Sequence, residues 1–206
     1  MNHETHASLP TRWQQMSLFA RNFFKHPAML GSLIPSSRFL IDQVLQHVDW
    51  DRARVFVEYG PGVGTFTREI LQRMHPDARL IGLELNPDFA AFLGESIHDP
   101  RFRVAHASAS DVKKILAEQD IHTADYVLSG IPFTTIPAAV RDAILADTRA
   151  LLTDEGRFLV YQFTRNVLPF LEESFDEVDR EFEPLNVLPA FVYSCGAGGK
   201  SGVGSK

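Results

Sequence analysis

The eight residues Glu58-Tyr59-Gly60-Pro61-Gly62-Val63-Gly64-Thr65 restrict this chain more than any other stretch. They follow an apolar run at 54–59 (RVFVEY) and precede residues 65–74, where Phe66, Ile70 and Leu71 share one helical face. A strand that turns into a helix over closely spaced glycines brings its backbone near a ligand, because glycine has no Cβ. A second apolar run, 79–85 (RLIGLEL), ends in Glu84, 24 residues after Gly60. In a doubly wound sheet that carboxylate lies beside the glycine loop, within reach of a ribose diol.

The same alternation continues along the chain. Strands are predicted at 101–105, 124–129 and 156–163, and helices at 87–97, 111–119 and 137–152. A helix at 39–48 precedes them, with Ser36 and Ser37 placed to cap it. Five strands alternating with helices predict a parallel sheet covered on both faces. Two last extended runs, 176–182 and 187–193, are joined by only four residues, which allows a hairpin and not a helical crossover. A length of 206 residues suits one such domain. The predicted organisation is an N-terminal segment at 1–30, an α/β domain at 31–195 and a glycine-rich flexible tail at 196–206.

Three classes of function are disfavoured by composition. The net charge of −6 argues against a duplex nucleic-acid binder. A single cysteine, Cys195, excludes an internal disulfide and a Cys-cluster zinc site, and the eight histidines show no metal spacing, so no metal is predicted. No apolar run approaches the roughly 18 residues of a membrane span, and the N-terminus lacks the order of a signal peptide. A cytoplasmic location is expected.

The spacing of the loop narrows the ligand. Dinucleotide enzymes use G-x-G-x-x-G, whereas Gly60, Gly62 and Gly64 form G-x-G-x-G. Glu58 would repel a pyrophosphate and suits a cationic ligand. A nucleoside-bearing cationic cofactor fits both acids. E-x-G-x-G-x-G followed by an acid-ended second strand resembles the class I S-adenosylmethionine-dependent methyltransferases, over roughly residues 36–193. The resemblance implies a single Rossmann-like domain, a seven-stranded mostly parallel sheet of order 3-2-1-4-5-7-6 with the last strand antiparallel, and S-adenosylmethionine as cofactor. It implies that Gly60, Gly62, Gly64 and Thr65 line the methionine side, Glu84 and Leu85 the ribose, and that Glu58 positions the amino-acid end. Ser36, Ser37 and Ser129 are further cofactor-site candidates. The family's acid after strand 3 is replaced here by Ala107 and Ser108, which become the adenine-side candidates, while Asp111 reads as a helix N-cap.

Substrate chemistry in this family sits after strand 4, here Ser129-Gly130-Ile131-Pro132-Phe133. Adenine N6-methyltransferases carry Asn or Asp where this chain has Gly130, so a base loses its amide partner, although Phe133 could stack. That segment, Gly31-Ser32-Leu33-Ile34-Pro35-Ser36-Ser37, Tyr161-Gln162-Phe163-Thr164 and Asn186-Val187-Leu188-Pro189-Ala190 resemble bacterial phospholipid N-methyltransferases, relatives of the rRNA adenine dimethyltransferases. The resemblance implies methylation of a lipid amine headgroup, of the phosphatidylethanolamine or ornithine-lipid type, at an anionic inner-membrane surface. Alternatives are an adenine dimethylase and a non-catalytic cofactor-binding scaffold.

The N-terminus agrees with a membrane reading. Residues 1–40 carry +3, with Arg12, Arg21, Lys25 and Arg38 against Glu4, so −9 falls on the remainder. Leu9, Trp13, Met16, Ala20 and Phe23 share one helical face, and Phe19 adds to the aromatic content, so a basic amphipathic helix is expected. Trp13, Phe19 and Phe23 are the membrane candidates. Arg38 and Arg165 are candidates for a lipid phosphate. Tyr161, Gln162 and Ser129, with Tyr59 and the Ser129 and Ile131 carbonyls behind them, are candidates for orienting the amine.

Overall fold

The computed structural model describes residues 36–198. The first described helix, α1 (Arg38–Leu45), follows the extended N-cap Ser37, whose hydroxyl accepts a hydrogen bond from the Leu40 N–H. Strands and helices then alternate: β1 (Val55–Tyr59), α2 (Thr65–Arg73), β2 (Arg79–Glu84), α3 (Pro87–Ser96), β3 (Phe102–His106), α4 (Val112–Ala117), β4 (Ala124–Ser129), α5 (Ala138–Leu151) and β5 (Leu152–Gln162). A short helix α6 (Leu168–Ser174) leads into the hairpin of β6 (Glu177–Glu183) and β7 (Ala190–Gly196).

The seven strands form one sheet of order β3-β2-β1-β4-β5-β7-β6. β1 to β5 pair in parallel, and β7 lies antiparallel to both β5 and β6. This is the order and polarity that the family resemblance implies. Alternate strand residues feed two cores. Val57, Leu83, Val127 and Val160 pack towards α4, α5 and α6. Phe56, Leu80, Leu128 and Leu159 pack towards α1 and α2.

The structure departs from the sequence expectations in four places. Helix α6 was not expected; with seven residues and Pro169 in its first turn it has too few turns to show a period. The helix expected at 111–119 is a 3-10 turn, Ala109–Asp111, followed by the short α4. β5 begins at Leu152 and follows α5 without a loop. The last strand is Ala190–Gly196 rather than 187–193, because the turn of the hairpin holds 184–189.

Gly196 pairs with both Arg157 and Glu177, so the sheet runs one residue past the expected domain end. Cys195 is fully buried in β7. The N-terminal segment with Trp13, Phe19 and Phe23, and residues 199–206, lie outside the described residues.

Candidate active site

β1, β2 and β4 end side by side on one edge of the sheet, and the glycine loop crosses above them. Gly60, Gly62 and Gly64 all have positive φ. Two of them are also places of close approach. A Cβ on Gly60 would come 2.8 Å from Ile131 Cγ2, and one on Gly64 would come 2.6 Å from Leu93 Cδ2. The loop is tied to β2 through Glu84: its carboxylate accepts the Gly62 N–H at 2.9 Å and the Asn86 N–H at 2.8 Å. Burial raises the Glu84 pKa, and those N–H donors oppose the rise.

Beside this carboxylate lies a cavity of about 400 Å³. Gly60, Glu84, Leu85, Ala107, Ser108 and Ile131 are among its lining residues. Leu85 is exposed at its rim. A carboxylate for a diol, apolar walls for a purine and a glycine loop at one end fit an S-adenosyl nucleoside. Ala107 and Ser108, the adenine-side candidates, both line this cavity. The Ser108 N–H donates to Asp111 Oδ2 at 3.2 Å, and the Ser108 hydroxyl accepts from the Ser110 N–H. Asp111 therefore reaches backwards in a capping box, and Ser108, rather than Asp111, is the residue that caps.

Glu58 faces the other side of β1. It is buried, and its Oε2 accepts the Thr67 hydroxyl at 2.6 Å. Burial is the main cause that pushes its pKa up to about 7; the Thr67 hydrogen bond opposes the shift, and Glu84 adds to it. Thr67 carries no motif, and sequence reasoning missed it. Its only signal is a polar residue on the buried face of α2, one position after Phe66. Thr65 is the first residue of α2 and half-buried, beside the Gly64 cap.

The other side of this edge is built from the ends of β4 and β5. Tyr161 lies on the same side as Glu58, its ring stacked on Phe66 at 5.0 Å. Its hydroxyl hydrogen-bonds Ser36 and stands over Gly130, where any Cβ would overlap it. Burial and the Glu58 charge push the Tyr161 pKa up, so the phenol is neutral at ordinary pH. Gly130 is therefore the partner of Tyr161: the space a side chain would take on β4 is filled from β5. Gln162 is buried, and its Nε2 donates to the Ile131 carbonyl at 2.8 Å, which fixes the loop after β4.

Several expectations are corrected here. The Ile131 carbonyl already accepts from Gln162 and from the Phe133 N–H, so both lone pairs are engaged. Phe133 is fully buried with its ring edge-on to Phe158 and has no free face for a base or a headgroup. Tyr59 is fully buried on the opposite face, its hydroxyl 3.0 Å from Thr148 Oγ1, and does not reach the loop. Ser129 is fully buried and its hydroxyl accepts from the Ile131 N–H at 3.4 Å, a turn contact. Ser37 caps α1 and its N–H donates to Asn186 Oδ1 at 2.8 Å, away from the cofactor cavity. Arg38 is exposed and 3.6 Å from Asp42, and Arg165 is exposed with its guanidinium 5.5 Å from the Phe191 ring. Among the described residues no group of His, Cys, Asp and Glu is placed to hold a metal ion.

No family model matches the chain. Over 186 residues it is 37% identical to an ornithine lipid N-methyltransferase of Singulisphaera acidiphila, covering 86% of this chain and 94% of that protein. The chain belongs to the ornithine lipid N-methyltransferase family. It is thus an S-adenosylmethionine-dependent class I methyltransferase. Solved structures of lower identity share the fold. The N-methyltransferase NodS of Bradyrhizobium japonicum, in complex with S-adenosyl-l-homocysteine, superposes with a TM-score of 0.63 at 12% identity, over 77% of this chain and 86% of that one. The 1,6-didemethyltoxoflavin-N1-methyltransferase of Burkholderia thailandensis gives 0.59 at 16%, over 93% and 92%.

Proposed function

We propose that this methyltransferase transfers methyl groups to the amine of an ornithine-type or phosphatidylethanolamine-type membrane lipid, acting as a peripheral protein on the cytoplasmic face of the inner membrane. The likeness to the lipid N-methyltransferase over nearly its whole length carries the reading. The Tyr161–Gly130 arrangement supports it, because it replaces the side chain that would hold a nucleobase amine with a phenol that serves an aliphatic one. Among the described residues no helix is long and apolar enough to cross a membrane.

S-adenosylmethionine, when bound, supplies a methyl group on an already charged leaving group. The chain then has to orient the donor, exclude water and present an amine with a free lone pair. Glu84, the glycine loop and the apolar cavity walls would hold the nucleoside, and Glu58 would face the cationic amino-acid end. An aliphatic amine has a pKa of about 10 in water, so most of it arrives protonated. The buried surroundings of Tyr161 disfavour the charged form, so the ammonium gives its proton to water as it leaves solvent and enters as the neutral amine. The Tyr161 oxygen can accept one N–H of the neutral amine and turn its lone pair towards the donor. Gln162 keeps the loop after β4 in register, so it is a positioning residue. Arg38 and Arg165 would serve the lipid phosphate or carboxylate.

The deciding experiment incubates the protein with methyl-labelled S-adenosylmethionine and, separately, a total bacterial lipid extract and total RNA. Label in an aminolipid is expected. Label in RNA alone would replace this reading with the adenine-dimethylase one, which the buried Phe133 argues against. Cofactor binding with no labelled product from either extract would leave a scaffold.

A further inference from the structure

The hairpin between β6 and β7 inverts the usual arrangement of a surface turn. Its tip carries Leu185, Val187 and Leu188 at 60%, 72% and 39% exposure, while the polar Asn186 between them is 7% exposed. The inversion is built by hydrogen bonds. Asn186 Oδ1 accepts the Ser37 N–H, Asn186 Nδ2 donates to the Leu188 carbonyl at 2.9 Å, and the Glu183 carboxylate accepts the Leu185 N–H at 2.6 Å. A turn needs none of its apolar side chains outward in order to fold, and contiguous exposed apolar residues mark a contact surface.

The tip has a defined place. Gln162, at the C-terminal end of β5, pairs with Phe191, and Phe191 pairs with Phe182. The hairpin turn therefore projects from the same edge of the sheet as Tyr161, Gly130 and the cofactor cavity. The bond from Ser37 to Asn186 brings the first turn of α1 against it, and there Phe39 is 58% exposed. Two exposed cations flank this apolar group, Arg165 over Phe191 and Arg38 beside Phe39. The nearest carboxylates have partners: Glu183 accepts the Leu185 N–H, Glu181 meets Gln43, Gln46 and His47, and Asp42 lies between Arg73 and Arg38, 3.6 Å from the latter.

We propose that this hairpin tip is a membrane-docking element: Leu185, Val187 and Leu188 enter the interfacial layer of an anionic bilayer while Arg165 and Arg38 meet its headgroups. The element lies at 184–189, far along the chain from the basic residues of 1–30. Apolar side chains ringed by cations are the composition that anionic lipid interfaces retain. Docking by this edge sets the mouth of the acceptor site against the membrane, so an amine headgroup reaches Tyr161 without the lipid leaving the bilayer. The choice of a bilayer as occupant rests on the lipid-acceptor reading, but the test is independent of turnover.

Because Cys195 is fully buried, a Val187→Cys variant takes one polarity-sensitive fluorophore at the tip. In the full chain without vesicles, emission should be that of a water-exposed dye. It should shift to the blue on adding vesicles of phosphatidylcholine with phosphatidylglycerol. In an unlabelled Leu185→Ser/Leu188→Ser variant, partition to the same vesicles should fall about ten- to a hundredfold. Its melting temperature and S-adenosyl-homocysteine affinity should stay unchanged. A dye that stays aqueous in the presence of vesicles overturns the proposal. So does a dye already shielded in the free protein. Concentration-dependent shielding would identify a second copy as the occupant, and concentration-independent shielding another segment of this chain. A dye that shifts in a protein that labels no lipid would leave the docking element standing and remove the acceptor reading.

Discussion

The β1–β2 side of the cleft, the proposed cofactor side, is built from backbone and carboxylates: the Gly62 and Asn86 N–H groups close on Glu84, and Glu58 is tied to Thr67. At the β4–β5 side the same edge is built from packing. Tyr161 leans on Phe66 and fills the space above Gly130, while Gln162 braces the following loop. The first side meets a ligand whose charges and hydroxyls are fixed, so residue types at fixed spacing suffice. In the proposed function the second side meets an amine that must be neutral to react, and desolvation by neighbouring side chains favours that form. One side is a set of hydrogen-bond partners and the other is a shape, and mutations should separate the two.

The largest separation is expected at Gly130. Gly130→Ala pushes a methyl group into the Tyr161 hydroxyl. Displacing an orienting group by about 1 Å costs on the order of a hundredfold in rate. We expect a fall in kcat of that size. Tyr161→Phe should share the loss, and the double variant should lose no more than the worse single one. S-adenosyl-homocysteine affinity should change far less than kcat in the Tyr161→Phe protein. An equal loss of cofactor affinity there would mean that Tyr161 belongs to the other side.

Glu84→Gln is the counterpart. It weakens hydrogen bonds made by a charged acceptor, worth about 1.5–3 kcal/mol. Calorimetry should show S-adenosyl-homocysteine affinity lowered by about ten- to a hundredfold. Retained affinity would remove the ribose role. Glu58 gives a smaller effect with a pH signature. Its pKa in the folded, ligand-free protein is raised from the ordinary 4.5 to about 7. The folded state therefore binds this proton more tightly than the unfolded chain. Its stabilising contribution is complete below about 4.5 and is lost as pH rises through about 7. Denaturation midpoints of the ligand-free protein should fall over that window, and Glu58→Gln should flatten the fall. A cationic ligand favours the ionised carboxylate, so S-adenosylmethionine affinity should rise with pH through about 7, and Glu58→Gln should abolish the rise.

The same division explains what could be read from the chain. The juxtaposition of the Gly60, Gly62 and Gly64 loop with Glu84 was legible because a tight turn demands glycine and one strand–helix–strand unit sets the spacing to the end of the second strand. The sheet order followed from the family resemblance, and the terminal hairpin from the four-residue link. Phe133 misled because an aromatic residue after β4 looks the same whether its ring faces a ligand or, as here, Phe158. Tyr59 misled because strand alternation sends its side chain to the face opposite Glu58. The role of Gly130 needs the register of β4 on β5, Ser129 against Val160, before Tyr161 can be seen above it. α6 and Thr67 carry too little local pattern to announce themselves.

Ser37 tests the boundary between the two sides with the smallest effect. Its spacing before α1 allows either a cofactor contact or a helix cap, and the structure gives it the cap and the Asn186 bond. Loss of an N-cap hydroxyl costs about 1 kcal/mol. In a domain of this size that lowers the melting temperature by about 2–4 °C. Ser37→Ala should show that shift with S-adenosyl-homocysteine affinity unchanged, because the hydroxyl is directed at the Leu40 N–H. The Asn186 bond uses the backbone N–H of Ser37 and survives the substitution, so the hairpin stays anchored. Asn186→Ala removes that bond instead and should loosen the hairpin, read as faster amide exchange at 184–189. A fall in cofactor affinity in Ser37→Ala would move α1 to the cofactor side and erase the division drawn here.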